Sequence, residues 1–205
     1  MQRIGIFGGS FNPIHVGHLI AAQETLDAMR LDKVIFIPAG NPPHKLQSNL
    51  AAAEDRYNMV KLAIQNNPGF EISSIEMERR SKTYSFDTLM ELKKQCKDVD
   101  MHFIIGFDTL KELHTWKNIQ GIFDIVSFVV VNRGNEAFEI KQLIEDRVST
   151  YGGTIEYVPI PDIEISSTDI RHRVNGSRSI KYLVPDEVEK YIKLRGLYMD
   201  DTKIR

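Results

Sequence analysis

The chain has 205 residues, 42% hydrophobic and 26% charged, with a formal net charge of −2. That length can bury a full core in one domain, and the balance is that of an ordinary globule. The slight negative charge excludes a general nucleic-acid binder, which carries a basic face, so any phosphate must be held by local groups.

The first informative stretch is Arg3 to His18. Ile4 to Phe7 reads as a buried strand, Gly8 and Gly9 end it, and Asn12-Pro13 makes a turn. A helical pattern then begins near His15 or Val16 and runs to about Met29. Glycines let a ligand approach the backbone, and the first amides of a helix form an anion site. His15 and His18, three apart, fall on one side of the helix. Imidazole N–H groups there can stabilise charge developing on a phosphate. No Gly-Lys-Ser/Thr follows, so this is not a Walker loop, nor is it the Gly-x-Gly-x-x-Gly fingerprint.

Lys33 to Pro38 is a second buried strand, which makes a βαβ unit and predicts a parallel sheet with right-handed crossovers. Ligands of such sheets gather at the carboxyl ends of the strands. The loop Ala39-Gly-Asn-Pro-Pro-His-Lys45 lies at that edge. Either it is a rigid surface loop, or its His44 and Lys45 add positive charge beside the histidines. Ala51 to Asn66 is a helix that Ser48 or Asn49 could cap, with Asp55, Arg56 and Tyr57 on its outer face and in packing. Phe70 to Ile75 is a third strand. The basic run Arg79-Arg80-Ser81-Lys82 reads as a solvated loop.

Thr83-Tyr-Ser-Phe-Asp-Thr88 opens a helix reaching about Lys97, with Ser85 as N-cap. Capping alone would explain these residues, but the same helix end would also bind a carboxylate. Met101 to Ile105 is a fourth strand ending in Gly106-Phe-Asp108. Asp108 could hold a ribose, help position a metal, or cap a helix from Thr109 to Leu113. Trp116, the only tryptophan, suits either a core or a stacking platform for a flat ring. Ser127 to Val131 is a fifth strand, Phe138 to Thr150 a flanking helix and Thr154 to Val158 a sixth strand. Ile165-Ser-Ser-Thr-Asp-Ile-Arg171 opens another helix. Ser166 and Asp169 have capping-box spacing, while the hydroxyls and Arg171 would also make a phosphate clamp. Pro185 to Leu194 is an amphipathic helix that seals the core. The pattern is thus α/β: a mostly parallel, Rossmann-like sheet flanked by helices, in one domain over 1–205 with a helical C-terminal part from about 166.

The lone cysteine, Cys96, excludes an internal disulfide and suits a reducing cytosol. It lies in a helical pattern and reads as a structural thiol. No signal-peptide apolar run opens the chain. The most apolar stretch, Ile122 to Val131, is too short to span a bilayer. A cytoplasmic protein without a membrane partner is expected, and a homo-oligomer stays open.

Gly8-Gly-Ser-Phe-Asn-Pro-Ile-His-Val-Gly-His18 resembles the signature of the HxGH nucleotidyltransferase superfamily, and Ile-Ser-Ser-Thr-Asp-Ile-Arg171 is similar to its second signature. Pro-Pro-His-Lys45, the 83–88 segment and Trp116 resemble the superfamily's nicotinate-mononucleotide adenylyltransferase branch. That branch reads Ser-Tyr-Thr-x-Asp-Thr where this chain has Thr-Tyr-Ser-Phe-Asp-Thr, so Ser85 replaces a threonine and keeps the hydroxyl. The resemblance implies adenylyl transfer from ATP to nicotinate mononucleotide, giving deamido-NAD and pyrophosphate, with substrate-bound Mg²⁺. It implies catalytic roles for His15, His18 and Arg171. ATP would meet those three with Gly8, Gly9, Ser10, Phe11, Gly106, Asp108, Ile165, Ser166 and Ser167. The acceptor would meet His44, Lys45, Tyr84, Ser85 and Trp116. A sister enzyme using another acceptor, such as phosphopantetheine, is opposed by the acceptor motifs. A non-catalytic nucleotide-binding module is opposed by the intact histidines and Arg171.

Overall fold

The computed structural model describes residues 1–41, 50–77, 79, 83–96, 98–133 and 136–199. Six strands form one sheet: β1 (Gln2–Gly9), β2 (Lys33–Pro38), β3 (Phe70–Ile72), β4 (Val99–Gly106), β5 (Ser127–Arg133) and β6 (Ile155–Ile160). Their order is β3-β2-β1-β4-β5-β6, and each neighbouring pair is parallel. The helices are α1 (Val16–Ala28), α2 (Ala53–Ile64), α3 (Ser85–Gln95), α4 (Phe107–Glu112), α5 (Ile119–Phe123), α6 (Ala137–Tyr151), α7 (Ser167–Asn175) and α8 (Asp186–Arg195).

The central strands are nearly continuous apolar runs because both sheet faces are covered. Successive side chains alternate between two cores. Phe7, Val34, Phe36, Ile104, Val129 and Val131 pack on one side with Ala21, Met59, Ile170, Val188 and Ile192. Ile4, Ile6, Ile35, Ile37, Phe103 and Val130 pack on the other with Leu89, Leu92, Leu110, Ile122 and Ile140. α1 meets the first core through the small residues Ala21, Ala22 and Thr25, which allow close approach to the sheet. The helices after residue 166 therefore share a core with the strands.

Several boundaries differ from expectation. β3 ends at Ile72, because the chain breaks into a turn in which the Met77 amide meets the Ser74 carbonyl. β6 runs on through Pro159 to Ile160, which an edge strand tolerates since the missing N–H can face outward. α2 starts at Ala53 with Ala52 as cap; Ser48 and Asn49, the expected caps, lie outside the described residues. Between β4 and β5 lie α4, a 3-10 turn at Leu113–Thr115 and α5. The helix there begins at Phe107 with Gly106 as N-cap, so Asp108 does not cap it. Cys96 lies at the C-cap of α3, partly buried. Among the described residues, no helix is long and apolar enough to cross a membrane.

Candidate active site

The strand order reverses between β1 and β4, and a crevice opens there at the carboxyl ends. Gly8-Gly9 and Gly106 end the two strands that flank it. From Gly9 the chain turns through Phe11, which is left-handed (φ 44). The Phe11 ring is buried and lies against Gly9, where a Cβ would come within 3.1 Å of it. A side chain at position 9 would require that ring to shift by a few tenths of an ångström. The ring meets Phe7 edge-on at 5.7 Å and His18 at 5.2 Å.

His15 caps α1 in extended conformation, with its side chain buried. Its ring stacks on that of His18 at 3.7 Å and 29°. The His15 backbone N–H donates to His18 Nδ1 at 3.2 Å. Since Nδ1 accepts, a neutral His18 carries its proton on Nε2. The expected use of helix amides is narrower here, because the Val16 N–H donates to the Leu183 carbonyl at 2.9 Å. That amide is therefore not among the groups offered to an anion.

The second signature docks directly on this loop. Ser166 is the N-cap of α7 and accepts from the Asp169 amide at 3.1 Å. Ser167 Oγ donates to the Pro13 carbonyl at 2.9 Å. Arg171 donates one N–H to the Asn12 carbonyl at 2.8 Å and another to Thr168 Oγ1 at 3.2 Å. A guanidinium has more N–H groups than these bonds use. The fold thus places a guanidinium, hydroxyls and a histidine pair on one loop.

Beside this cluster lies a cavity of about 310 Å³. Gly8, Gly9, Ser10 and Ala39 line it from the ends of β1 and β2, and Tyr84, Ser85, Thr88 and Leu89 from the start of α3. Phe103, Trp116, Lys117 and Ile122 add to the wall. Trp116 is partly buried and meets Phe103 edge-on at 5.7 Å, so it serves the core and the cavity at once. The Lys117 ammonium lies 4.3 Å above the Tyr84 ring. The cap of α3 is Tyr84, with Ser85 opening the helix. The first helical bond runs from the Thr88 amide to the Tyr84 carbonyl at 3.2 Å, so the amides of 85–87 precede it and form an anion-seeking end.

A polar chain backs this wall. Arg79 donates to Thr88 Oγ1 at 2.8 Å, Thr88 donates to Glu76 Oε1 at 2.8 Å, and Arg79 also pairs with Glu91. Arg79 is therefore engaged, not solvated as expected; Arg80, Ser81 and Lys82 lie outside the described residues. So do His44 and Lys45.

Arg56 also departs from expectation. It is buried, not on an outer face. Its guanidinium donates to the carbonyls of Ser10 at 2.9 Å, Gly40 at 3.1 Å and Ala51 at 3.1 Å. Burial pulls its pKa below the ordinary guanidinium value. Gly40 is confined too, since a Cβ there would lie 2.1 Å from the Glu76 carbonyl oxygen. Nothing in the spacing of Glu54-Asp55-Arg56 signalled this staple. Asp108 lies in the first turn of α4, just past the end of β4, its side chain fully exposed and paired with Lys111 at 3.6 Å. Ile165 packs against the first core.

The fold and site define a nucleotidyltransferase-like architecture. The sequence model of the family described as cytidylyltransferase-like matches residues 6–173. A probable nicotinate-nucleotide adenylyltransferase of Thermoanaerobacter sp. (strain X514) is 44% identical over 203 residues, 98% of this chain and 96% of that protein. A second, from Corynebacterium glutamicum, is 42% identical over 199 residues, 96% of this chain and 88% of that protein. Plasmodium falciparum nicotinic acid mononucleotide adenylyltransferase complexed with NaAD superposes with a TM-score of 0.78 at 20% identity, covering 97% of this chain and 98% of that one. The same protein complexed with APC gives a TM-score of 0.77 at 19% identity, with the same coverage. At such identity the structural likeness speaks for the fold. The chain belongs to the cytidylyltransferase-like family and, within it, to the group of nicotinate-nucleotide adenylyltransferases.

Proposed function

We propose that this protein transfers the adenylyl group of ATP to nicotinate mononucleotide, forming deamido-NAD and pyrophosphate. The observation that carries the reading is the junction of the two signatures. Arg171 and Ser167 bond to the carbonyls of Asn12 and Pro13, in the loop that leads to the stacked histidines. The relatives named above are adenylyltransferases of this kind.

In the reaction, an oxygen of the acceptor's 5′-phosphate forms a bond to the α-phosphorus of ATP. The bond from that phosphorus to the bridging oxygen breaks in line, and pyrophosphate leaves with the electron pair. Positioning and charge stabilisation suffice, with no protein nucleophile. His18, through its Nε2–H, donates to the transferred phosphate, and His15 supports it. Arg171, Ser166 and Ser167 hold the departing pyrophosphate. Gly8, Gly9, Ser10 and Phe11 shape the approach of the nucleotide, and Gly106 and Asp108 face its ribose. The acceptor's ring lies on Trp116 beside Tyr84, its carboxylate meets Ser85 and the open amides of α3, and His44 and Lys45 are assigned to the acceptor as well.

The donors around the phosphates are imidazole, guanidinium and hydroxyl, which suit phosphate oxygens. Mg²⁺ prefers hard oxygen ligands and is carried by the polyphosphate itself. When bound, it neutralises charge on the phosphates. The lone cysteine and the use of ATP fit a cytoplasmic setting.

The test is pyrophosphate release from ATP and Mg²⁺ with nicotinate mononucleotide, nicotinamide mononucleotide and phosphopantetheine offered separately. Turnover that strongly favours the first is expected. Turnover with phosphopantetheine alone would overturn the acceptor assignment, and ATP binding without turnover on any acceptor would overturn the catalytic one.

A further inference from the structure

Past α8 the chain folds back on the body of the protein. Gly196 is left-handed (φ 61), and the Leu197 amide donates to the Ile192 carbonyl at 3.0 Å, a Schellman closure that reverses the chain. α8 is itself fastened to α2, where Asp55 Oδ1 accepts from the Tyr191 hydroxyl at 2.9 Å and from Arg195 Nε at 3.1 Å. Tyr198 follows, also left-handed (φ 66), a conformation that a non-glycine residue keeps only when its surroundings hold it.

The Tyr198 ring packs against the first core, and its hydroxyl is tied to Asn12. The Tyr198 hydroxyl donates to Asn12 Oδ1 at 2.9 Å, although 186 residues separate the two. The same oxygen accepts the Ala51 amide at 3.1 Å. The Asn12 carbonyl is the one that receives Arg171 at 2.8 Å. Asn12 therefore joins the tail, the start of the α2 segment and the phosphate-clamp arginine. Burial raises the phenol's pKa, against the pull of nearby Arg171 and Arg56. The hydroxyl thus stays a donor throughout the neutral range.

We propose that Tyr198 is a positioning residue for adenylyl transfer: through the Asn12 side chain it fixes the carbonyl that aims Arg171. This rests on the adenylyltransferase reading. The chain's last described turn then belongs to the working site, although it lies outside both signatures.

Tyr198→Phe removes only the hydroxyl and keeps the ring packed. Turnover with ATP and nicotinate mononucleotide should fall about three- to tenfold, the worth of one neutral hydrogen bond. The acceptor KM should hardly move, and the melting temperature should fall by only about 2–4 °C. In an Asn12→Ala background, adding Tyr198→Phe should cost nothing further, because coupled residues are not additive. Unchanged turnover in Tyr198→Phe would overturn the proposal. So would an equal loss in both backgrounds, or a loss that only tracks a lowered melting temperature. If the wild type binds ATP but shows no turnover, the catalytic reading fails separately. The tether is then read from affinity for a non-hydrolysable ATP analogue, expected to fall in Tyr198→Phe and no further in the double variant.

Discussion

The backbone N–H of His15 donates to Nδ1 of His18 at 3.2 Å while the two rings stack at 3.7 Å. The first bond chooses the tautomer and the second fixes the plane. A neutral His18 is thereby left with an Nε2–H donor whose direction is set before any ligand arrives. Such preorganisation is what gives a hydrogen-bond donor its weight in a transition state, since no reorganisation is needed as charge develops.

His18→Ala should therefore lower turnover by ~10²–10³, the usual effect of losing one group aimed at developing charge. The fold should survive, because the His18 ring is only partly buried. Steady-state pyrophosphate release with a parallel thermal melt checks this. Turnover within a few-fold of wild type would remove His18 from the reaction.

Trp116 should act on the acceptor alone. Its ring lines the cavity while its edge rests on Phe103. Trp116→Ala deletes a stacking face and should raise the acceptor KM about tenfold, or ~1.4 kcal/mol, with kcat little changed. An unaltered acceptor KM in initial-rate kinetics would confine Trp116 to packing.

Much of this was readable from the chain. β1, β2, β4 and β5 are apolar enough to announce strands buried on both faces. The two signatures sit where strands give way to helices, which is where phosphate chemistry is expected. The unread parts depend on distance. Arg56 follows Glu54 and Asp55 and looks like part of a charged face; only the fold brings three carbonyls from separate segments around it. The tie from Tyr198 to Asn12 spans 186 residues. α4 and α5 are too short for hydrophobic periodicity to register. The cap of α3 fell on Tyr84 because its extended backbone, not its side chain, starts the helical bonding.

Arg56 gives the sharpest stability test. Arg56→Met would leave the carbonyls of Ser10, Gly40 and Ala51 without the guanidinium. With buried groups costing roughly 1–3 kcal/mol when unsatisfied, and partial rescue by water, a loss on the order of 3 kcal/mol is expected from urea unfolding. Arg56→Lys keeps the charge but lacks the planar fork, so it should recover only part of that loss. Full stability in the lysine variant would mean that charge alone, not the three-way geometry, holds these loops together.

The pH dependence of stability follows from the tyrosines. Burial raises the pKa of Tyr198 above the ordinary phenol value of 10.0, and that of Tyr191 is raised in the same direction, chiefly by burial and against the Asn58 hydrogen bond. A raised value means that the folded chain keeps a proton which the unfolded chain gives up. The contribution is fully present below about pH 10 and is lost as pH climbs from there toward the folded-state values, at up to about 1.4 kcal/mol per pH unit for the buried Tyr198 and less for the more exposed Tyr191. Tyr198→Phe removes one of these phenols and leaves every other titrating group in place. Urea midpoints measured from pH 8 to 11 should therefore fall more steeply in the wild type than in Tyr198→Phe above about pH 10, and run parallel below it. Parallel curves throughout would show that the Tyr198 hydroxyl is as open to water in the folded chain as in the unfolded one.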